Sequence, residues 1–376
     1  MLNPKDIYET FKEEKIDFFT GVPDSLLKDI CAYITDNTPK ENNIIAANEG
    51  NAIGIATGYH LATNKVALVY MQNSGLGNTI NPLISLADKK VYSIPMLLMI
   101  GWRGEPGKKD EPQHMKQGEV TKEILETVGI KYDILSDDIH KARDQIKKAN
   151  KITIEEQVPY ALIIKKDLFE EYKLKNKVKS SNEMKREEAL EYILKNLNSN
   201  EIIVSTTGKT SREVYEIREK YNQNHEKDFL TVGSMGHTSS IALGINLANN
   251  ERKIVCIDGD GSFIMHMGAI AIIAQNAKKN FKYIIINNGS HESVGAQPTV
   301  GFDIDIPAIS KAVGFKNVYS VDTLDKLNEK FNDFINNEKN SVLEIKVKIG
   351  AREDLGRPKT TPIENKELFK NYIINK

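Results

Sequence analysis

The sequence predicts an α/β protein made of two related, doubly wound halves, each a mostly parallel sheet with helices on both faces. Three observations carry that expectation. Helix-like and strand-like segments alternate from residue 4 to about 170 and again from Arg186 to about Ile349, as βα units do. A polar, lysine-rich, aperiodic run at 171–185 separates them and reads as a linker. The stretch Ala56–Asn64 is echoed by Ala242–Asn250 at a constant offset of 186, with Gly58/Gly244, Leu61/Leu247, Ala62/Ala248 and Asn64/Asn250 coinciding. The domains expected are therefore 1–170 and 186–376, joined by 171–185.

In the first half, Pro4 to Lys15 reads as a capped helix and Ile16 to Val22 as a strand. A helix starts near Asp24-Ser25. Ile44 to Asn48 is a short strand, followed by a helix from Gly50 to Ala62. Val66 to Met71 and Met96 to Ile100 are buried strands on either side of a helix near Asn78 to Asp88. Helices near Glu119 to Val128 and Asp138 to Asn150 frame a weak strand at Tyr132 to Leu135, and Tyr160 to Ile164 closes the set. The stretch Trp102 to Gly118 is rich in Gly, Pro and charge and reads as a long loop, a candidate lid.

The second half is organised around Asp258 to His291. The β-branched run Lys253–Ile257 drives into Asp258-Gly259-Asp260-Gly261-Ser262. A helix follows, and a second buried run, Tyr283–Ile286, breaks at Asn287-Asn288-Gly289. In a parallel sheet these two loops lie side by side at the carboxyl ends of their strands, where open α/β sheets bind ligands. Asp260 and Asn288 are then two hard oxygen ligands facing one space, which suits a Mg²⁺ that also takes phosphate oxygens. Gly261 and Ser262 open a helix, whose N-terminus favours phosphate. Residues 351–376 hold Arg352, Asp354, Arg357 and an amphipathic stretch from Ile363 to Ile374, either a packed tail or a flap.

A hydrophobic content of 40%, a charged content of 27% and a net charge of −1 describe a globular chain without a global field for nucleic acid or anionic membrane. Cys31 and Cys256 both sit in apolar runs and form no disulfide framework. No apolar run approaches the ~20 residues of a membrane helix, and Asn3-Pro4-Lys5-Asp6 resembles a helix start rather than a signal peptide, so a cytoplasmic location is expected.

Gly259-Asp260-Gly261, then 25 residues, then Asn287-Asn288 resembles the diphosphate-binding motif of thiamine-diphosphate enzymes. The resemblance implies the fold of that family in both halves, a pyrimidine-binding domain followed by a diphosphate- and metal-binding domain, with thiamine diphosphate and Mg²⁺ as cofactors. Carried over residue by residue, it implies that Glu49 bonds the cofactor's pyrimidine ring and drives the proton removal that activates it. A carboxylate among Ile, Ala and Gly is poorly solvated, which suits a group that holds and releases a proton. Gly233 offers a backbone carbonyl, and Met235 a backbone N–H and a side-chain wedge under the bent cofactor. Thr207 and Gly208 resemble a third diphosphate-contacting loop, although Thr and Gly are also ordinary capping residues. Gly259, Asp260, Gly261, Ser262 and Asn288 hold the diphosphate and metal, and Ser290 completes the metal shell through its carbonyl oxygen.

The short architecture without a central domain, together with Gly21–Ser25, Gln72–Asn78, Gly101–Gly104 and Asn288–Gly295, resembles the phosphonopyruvate decarboxylase family, with sulfopyruvate decarboxylases as siblings. That implies decarboxylation of 3-phosphonopyruvate to phosphonoacetaldehyde and CO₂, in phosphonate biosynthesis of the 2-aminoethylphosphonate type. The substrate is then a small anionic 2-oxo acid. Arg103 and His114 are candidates to grip it, with Asp24 and Asn73 beside them, and His291 and His114 are candidates for proton transfer. The resemblance also implies a homo-oligomer, a dimer at minimum, with the active site between subunits. A dinucleotide-binding oxidoreductase is the alternative of another class, but the chain lacks a strand-linked Gly-x-Gly-x-x-Gly.

Overall fold

A computed structural model describes residues 1–198, 200–248 and 251–375. The chain divides into two compact units, residues 1–177 with 291–298, and residues 178–290 with 299–376.

The first unit runs α1 (Pro4–Glu13), β1 (Phe19–Gly21), α2 (Lys28–Asn37), β2 (Asn43–Ile45), α3 (Glu49–Thr63), β3 (Ala67–Gln72), α4 (Leu76–Pro82), β4 (Met96–Gly101), α5 (Pro112–Thr127), β5 (Lys131–Ile134), α6 (Ile139–Glu156) and β6 (Pro159–Ile164). Its strands form one parallel sheet in the order β2-β1-β3-β4-β6-β5. β4 is buried at all six positions because both of its faces are covered. Leu97 and Met99 pack with Phe11, Ile30 and Ile146 on one face, and Met96, Leu98 and Ile100 pack with Ala52, Ile53 and Leu125 on the other.

The second unit runs α7 (Arg186–Asn196), β7 (Ile202–Ser205), α8 (Lys209–Lys220), β8 (Asp228–Leu230), α9 (Thr238–Ala248), β9 (Ile254–Gly259), α10 (Asp260–Met265), α11 (Ala269–Asn276) and β10 (Phe281–Asn287). A small ribbon of β11 (Ser290–His291) and β12 (Gln297–Pro298) follows. The chain then continues through α12 (Ile306–Ala312), β13 (Asn317–Val321), α13 (Leu324–Asn336), β14 (Ser341–Lys346) and α14 (Pro362–Asn375). The main sheet is again parallel, ordered β13-β14-β10-β9-β7-β8. Numbered within its own unit, each sheet has the order second, first, third, fourth, sixth, fifth. The echoed sequence falls on α3 and α9, which both connect a second strand to a third. Asn249 and Asn250 of that echo lie outside the described residues.

Several boundaries differ from the sequence reading. The helix after Asp24 starts at Lys28, because the Asp24 carboxylate accepts the N–H of Leu26 at 3.0 Å and holds a turn there. α5 starts at Pro112 rather than near Glu119. Glu111 is extended, and a proline at the first helical position has its φ preset for a helix. The loop after Trp102 is correspondingly shorter. The single helix expected after Ser262 is two, broken at His266 to Gly268.

The polar run 171–185 is fastened at its first end. The N–H of Tyr172 donates to Asp29 at 3.1 Å, and those of Lys175 and Asn176 donate to Asp36 at 2.8 and 2.9 Å. The acceptors lie in α2, far away in sequence, so local polarity gave no sign of them. His291–Pro298, which the sequence assigns to the second half, clusters with the first unit. There the Thr35 hydroxyl donates to Gln297 at 2.7 Å. The C-terminal segment is a packed tail: Phe369 and Tyr372 of α14 join the core of the second unit.

Candidate active site

In the second unit, β9 and β10 pair in parallel with Gly259 opposite Ile286, so the loops after them emerge together. Asp260 is buried, and the N–H of Asn288 donates to its carboxyl group. Burial pushes this carboxyl up to about 6, against hydrogen bonds from the Thr299 hydroxyl and the backbone N–H groups of Asn288, Asp260 and Gly261. Asn288 Oδ1 accepts the N–H of Ser290 at 3.0 Å, which turns the chain back on itself. The Ser290 hydroxyl is buried and without a hydrogen-bond partner. Among the described residues no three His, Cys, Asp or Glu side chains converge on one point. A cation here would thus be held by one carboxylate and neutral oxygens. That donor set, around a buried carboxyl met by hydrogen bonds, fits a hard cation such as Mg²⁺ with phosphate oxygens and does not fit a nitrogen- or sulfur-seeking metal such as Zn²⁺ or Cu²⁺.

A hydrogen-bonded hub lies beneath the loop. Asp258, fully buried, accepts the N–H of Gly259 at 3.0 Å and the Tyr283 hydroxyl at 3.1 Å, and burial pushes its carboxyl up. The Ser262 hydroxyl accepts the N–H of Gly236 at 3.0 Å and the Thr206 hydroxyl at 3.3 Å. Ser262 therefore ties together the loops carrying Thr207 and Gly208, Gly233 and Met235, and Gly259 to Gly261. Gly208, at φ +94°, leaves the N-terminus of α8 without a side-chain cap, open to an anion beyond the end of β7. The expectation at Gly261 and Ser262 is weaker than at α8, because α10 is only six residues long and has little dipole to offer.

In the first unit, Glu49 is the first residue of α3, buried behind the capping residue Asn48. Its Oε2 accepts Asn78 Nδ2 at 2.7 Å, and Gly75 leaves room for its carboxylate where any Cβ would collide. The loops after β1, β3 and β4 bring Asp24, Asn73 and Arg103 to one end of the sheet. Asp24 is fully buried, and burial pushes its carboxyl up while Gln72 and the N–H of Leu26 donate to it.

Arg103, a candidate to grip the substrate, is already engaged within its own unit. Nε donates to Asp110 at 2.8 Å, Nη2 also donates to Asp110, and Nη1 donates to the Ser25 hydroxyl at 2.8 Å. Asp110 further accepts the N–H of Gly104 at 2.8 Å and of Glu111 at 2.7 Å. Against the burial that would raise it, these bonds hold the Asp110 carboxyl below the usual range. Asn73 spends its carboxamide inside the unit, donating to the Arg103 carbonyl at 2.8 Å and to Thr121 at 2.9 Å, and accepting the Arg103 N–H at 3.2 Å. It builds the loop and does not reach out of it. His114 is in the first turn of α5 with Nδ1 buried and unpartnered, and burial and then the Arg103 charge push its imidazole down. His291 is half-buried and desolvation pushes it down to about 4, so it is neutral at pH 7.

Sequence reasoning missed Asn78, Asp110, Ser25, Asp258 and Thr299. Asp258, a carboxylate at the end of an apolar strand, carried a local signal, and Ser25 and Asn78 close two of the stretches that carry the family resemblance. Asp110 acts within its own loop, and Ser25, Asn78 and Thr299 meet their partners across the fold.

Residues 4–125 match the model of the thiamine pyrophosphate enzyme N-terminal TPP binding domain, and residues 206–345 match that of the C-terminal TPP binding domain. Glu49 lies in the first span, and Thr207 to Ser290 lie in the second. The chain is 29% identical to a phosphonopyruvate decarboxylase of Streptomyces viridochromogenes, over 94% of this chain and 90% of that one. It is 30% identical to a phosphonopyruvate decarboxylase of Streptomyces hygroscopicus, over 91% and 88%. A sulfopyruvate decarboxylase of Methanosarcina acetivorans is 28% identical over 99% and 98%. Among the described residues no helix is long and apolar enough to cross a membrane.

Proposed function

We propose that this chain, which belongs to the thiamine-diphosphate-dependent decarboxylase family that includes the phosphonopyruvate decarboxylases, converts 3-phosphonopyruvate to phosphonoacetaldehyde and CO₂. The proposal extends to Mg²⁺ as the metal, to a role in phosphonate biosynthesis of the 2-aminoethylphosphonate type, to a homodimer at minimum and to a cytoplasmic location. The observation that carries the substrate is the likeness to two phosphonopyruvate decarboxylases over more than nine-tenths of the chain.

When bound, thiamine diphosphate supplies an electron sink for the pair left behind by CO₂. This chain's residues hold and tune it. Asp260, Asn288 and the Ser290 carbonyl take the metal, and the α8 N-terminus with Thr207 takes diphosphate charge. Gly233 and Met235 seat the aminopyrimidine. Glu49, oriented by Asn78, moves the activating proton. Arg103 meets the substrate's anionic end with the N–H groups that Asp110 leaves over, beside Ser25.

A sulfopyruvate substrate is the second reading, supported by the relative that spans 99% of this chain. Purified protein loaded with thiamine diphosphate and Mg²⁺ is to be given both acids in competition. The expected outcome is CO₂ release with a higher kcat/KM for phosphonopyruvate. A preference for sulfopyruvate selects the second reading, and silence toward both acids with the cofactor bound rejects each.

A further inference from the structure

The segment Thr299 to Phe302 is laced over the ends of β9 and β10 by contacts that the metal reading leaves unused. The N–H of Thr299 donates to the Gly289 carbonyl at 2.9 Å. Asn287 Nδ2 donates to the Gly301 carbonyl at 2.7 Å, and Asn287 Oδ1 accepts the N–H of Gly289 at 3.1 Å. The Phe302 ring rests on Gly289, where a Cβ would come within 2.6 Å of it. Gly301 is pressed in as closely: a Cβ there would lie 2.6 Å from both Asp260 Oδ2 and Asn287 Oδ1.

The Thr299 hydroxyl is at the centre of this lacing. It accepts the N–H of Gly301 at 3.1 Å and donates to Asp260 Oδ2. A hydroxyl has one proton, and with Gly301 occupying its acceptor side that proton is directed at the carboxylate. The β-branched side chain is stiff at χ1, so the donor does not wander.

We propose that Thr299 is a positioning residue for the divalent cation: it fixes one oxygen of Asp260 and so sets the rotamer in which the carboxylate meets the metal. The inference rests on the reading of Asp260 and Asn288 as metal ligands. Hydrogen bonds to a ligating carboxylate orient it, and their loss typically costs about 10–100-fold in metal affinity. Gly301 has a matching part, because its missing Cβ is what lets the strap approach Asp260.

The test is a Mn²⁺ titration, read as free Mn²⁺ by electron paramagnetic resonance, on protein saturated with thiamine diphosphate. The wild type, Thr299→Val, Thr299→Ser and Gly301→Ala are compared, with circular dichroism and Tm as the check on folding. Thr299→Val is expected to weaken Mn²⁺ binding about 10–100-fold, while Thr299→Ser stays within a few-fold of the wild type. Gly301→Ala, which crowds the same carboxylate, is expected to weaken it too, which keeps the idea testable should the valine variant not fold. In activity assays Thr299→Val should raise the Mg²⁺ concentration needed for half-maximal rate and leave kcat at saturating Mg²⁺ close to wild type. Wild-type affinity in Thr299→Val overturns the proposal, and so does a serine variant as weak as the valine. If the wild type itself binds no Mn²⁺, the metal reading of Asp260 and Asn288 falls, and this inference falls with it.

Discussion

Asn78 holds Glu49: the carboxamide nitrogen of one lies 2.7 Å from Oε2 of the other, and both belong to the first unit. A carboxylic acid that passes a proton to a cofactor needs a fixed direction as well as the right proton affinity. Glu49→Gln is expected to keep thiamine diphosphate binding and lose turnover. Asn78→Ala is expected to keep Glu49 buried but unaimed, with kcat about 10–100-fold lower. Hydrogen–deuterium exchange at the reactive carbon of the bound cofactor measures the step directly. Wild-type exchange rates in Asn78→Ala would remove Asn78 from this role.

Asp110 governs what Arg103 has left to give. Two of the three guanidinium nitrogens donate to Asp110, so the pair carries little net charge. In Asp110→Asn the bidentate acceptor is lost and Arg103 is released from its loop. KM for the anionic substrate is expected to change at least several-fold, with kcat moving less. The variant also tests acid stability. The folded carboxyl titrates below its unfolded value of 3.8, so its contribution is complete above pH about 5 and is lost as pH falls below 3.8. Urea unfolding of the wild type should weaken over that range relative to Asp110→Asn. Parallel pH profiles for the two proteins would show that the pair contributes nothing.

Lys282 makes a prediction at the alkaline end of the pH range. It is fully buried on β10, and its ammonium donates to the carbonyls of Asn337 at 2.6 Å and Lys339 at 2.8 Å, just beyond the end of α13. Burial pushes it down to about 8 from 10.5. Between these values the unfolded chain binds more protons than the folded one, so stability rises with pH through the window. Relative to Lys282→Met, the wild type is expected to gain roughly 3 kcal/mol between pH 8 and 10.5. The difference in unfolding free energy between the two proteins, followed across that range, checks it. A flat difference would mean that the carbonyls stabilise the ammonium as well as water does.

Asn365 closes an open sheet edge. β8 is the outer strand of its sheet. The carboxamide of Asn365 accepts the Leu230 N–H at 3.1 Å and donates to the Asp228 carbonyl at 2.9 Å, standing in for a neighbouring strand. Asn365→Ala leaves both backbone groups without these partners and should cost about 1–3 kcal/mol. Amide exchange should rise at Leu230 before it rises at β9 or β10. Unchanged protection at Leu230 would refute the bracing role of α14.

The alternation of buried runs and amphipathic helices, the repeated motif on α3 and α9 and the paired loops at Asp260 and Asn288 were all legible in the chain itself. Each is a local pattern: periodicity reports which faces are buried, and a motif at the end of a strand keeps its address whatever surrounds it. Tertiary structure decided the partners. Asp110 met Arg103 because a loop closed between Gly104 and Glu111. Thr299 reached Asp260 from 39 residues away. The run after Tyr172 was anchored by acidic side chains of α2. A hydrogen bond between distant residues depends on where the backbone brings two groups together, and sequence spacing does not encode that until the sheets have formed.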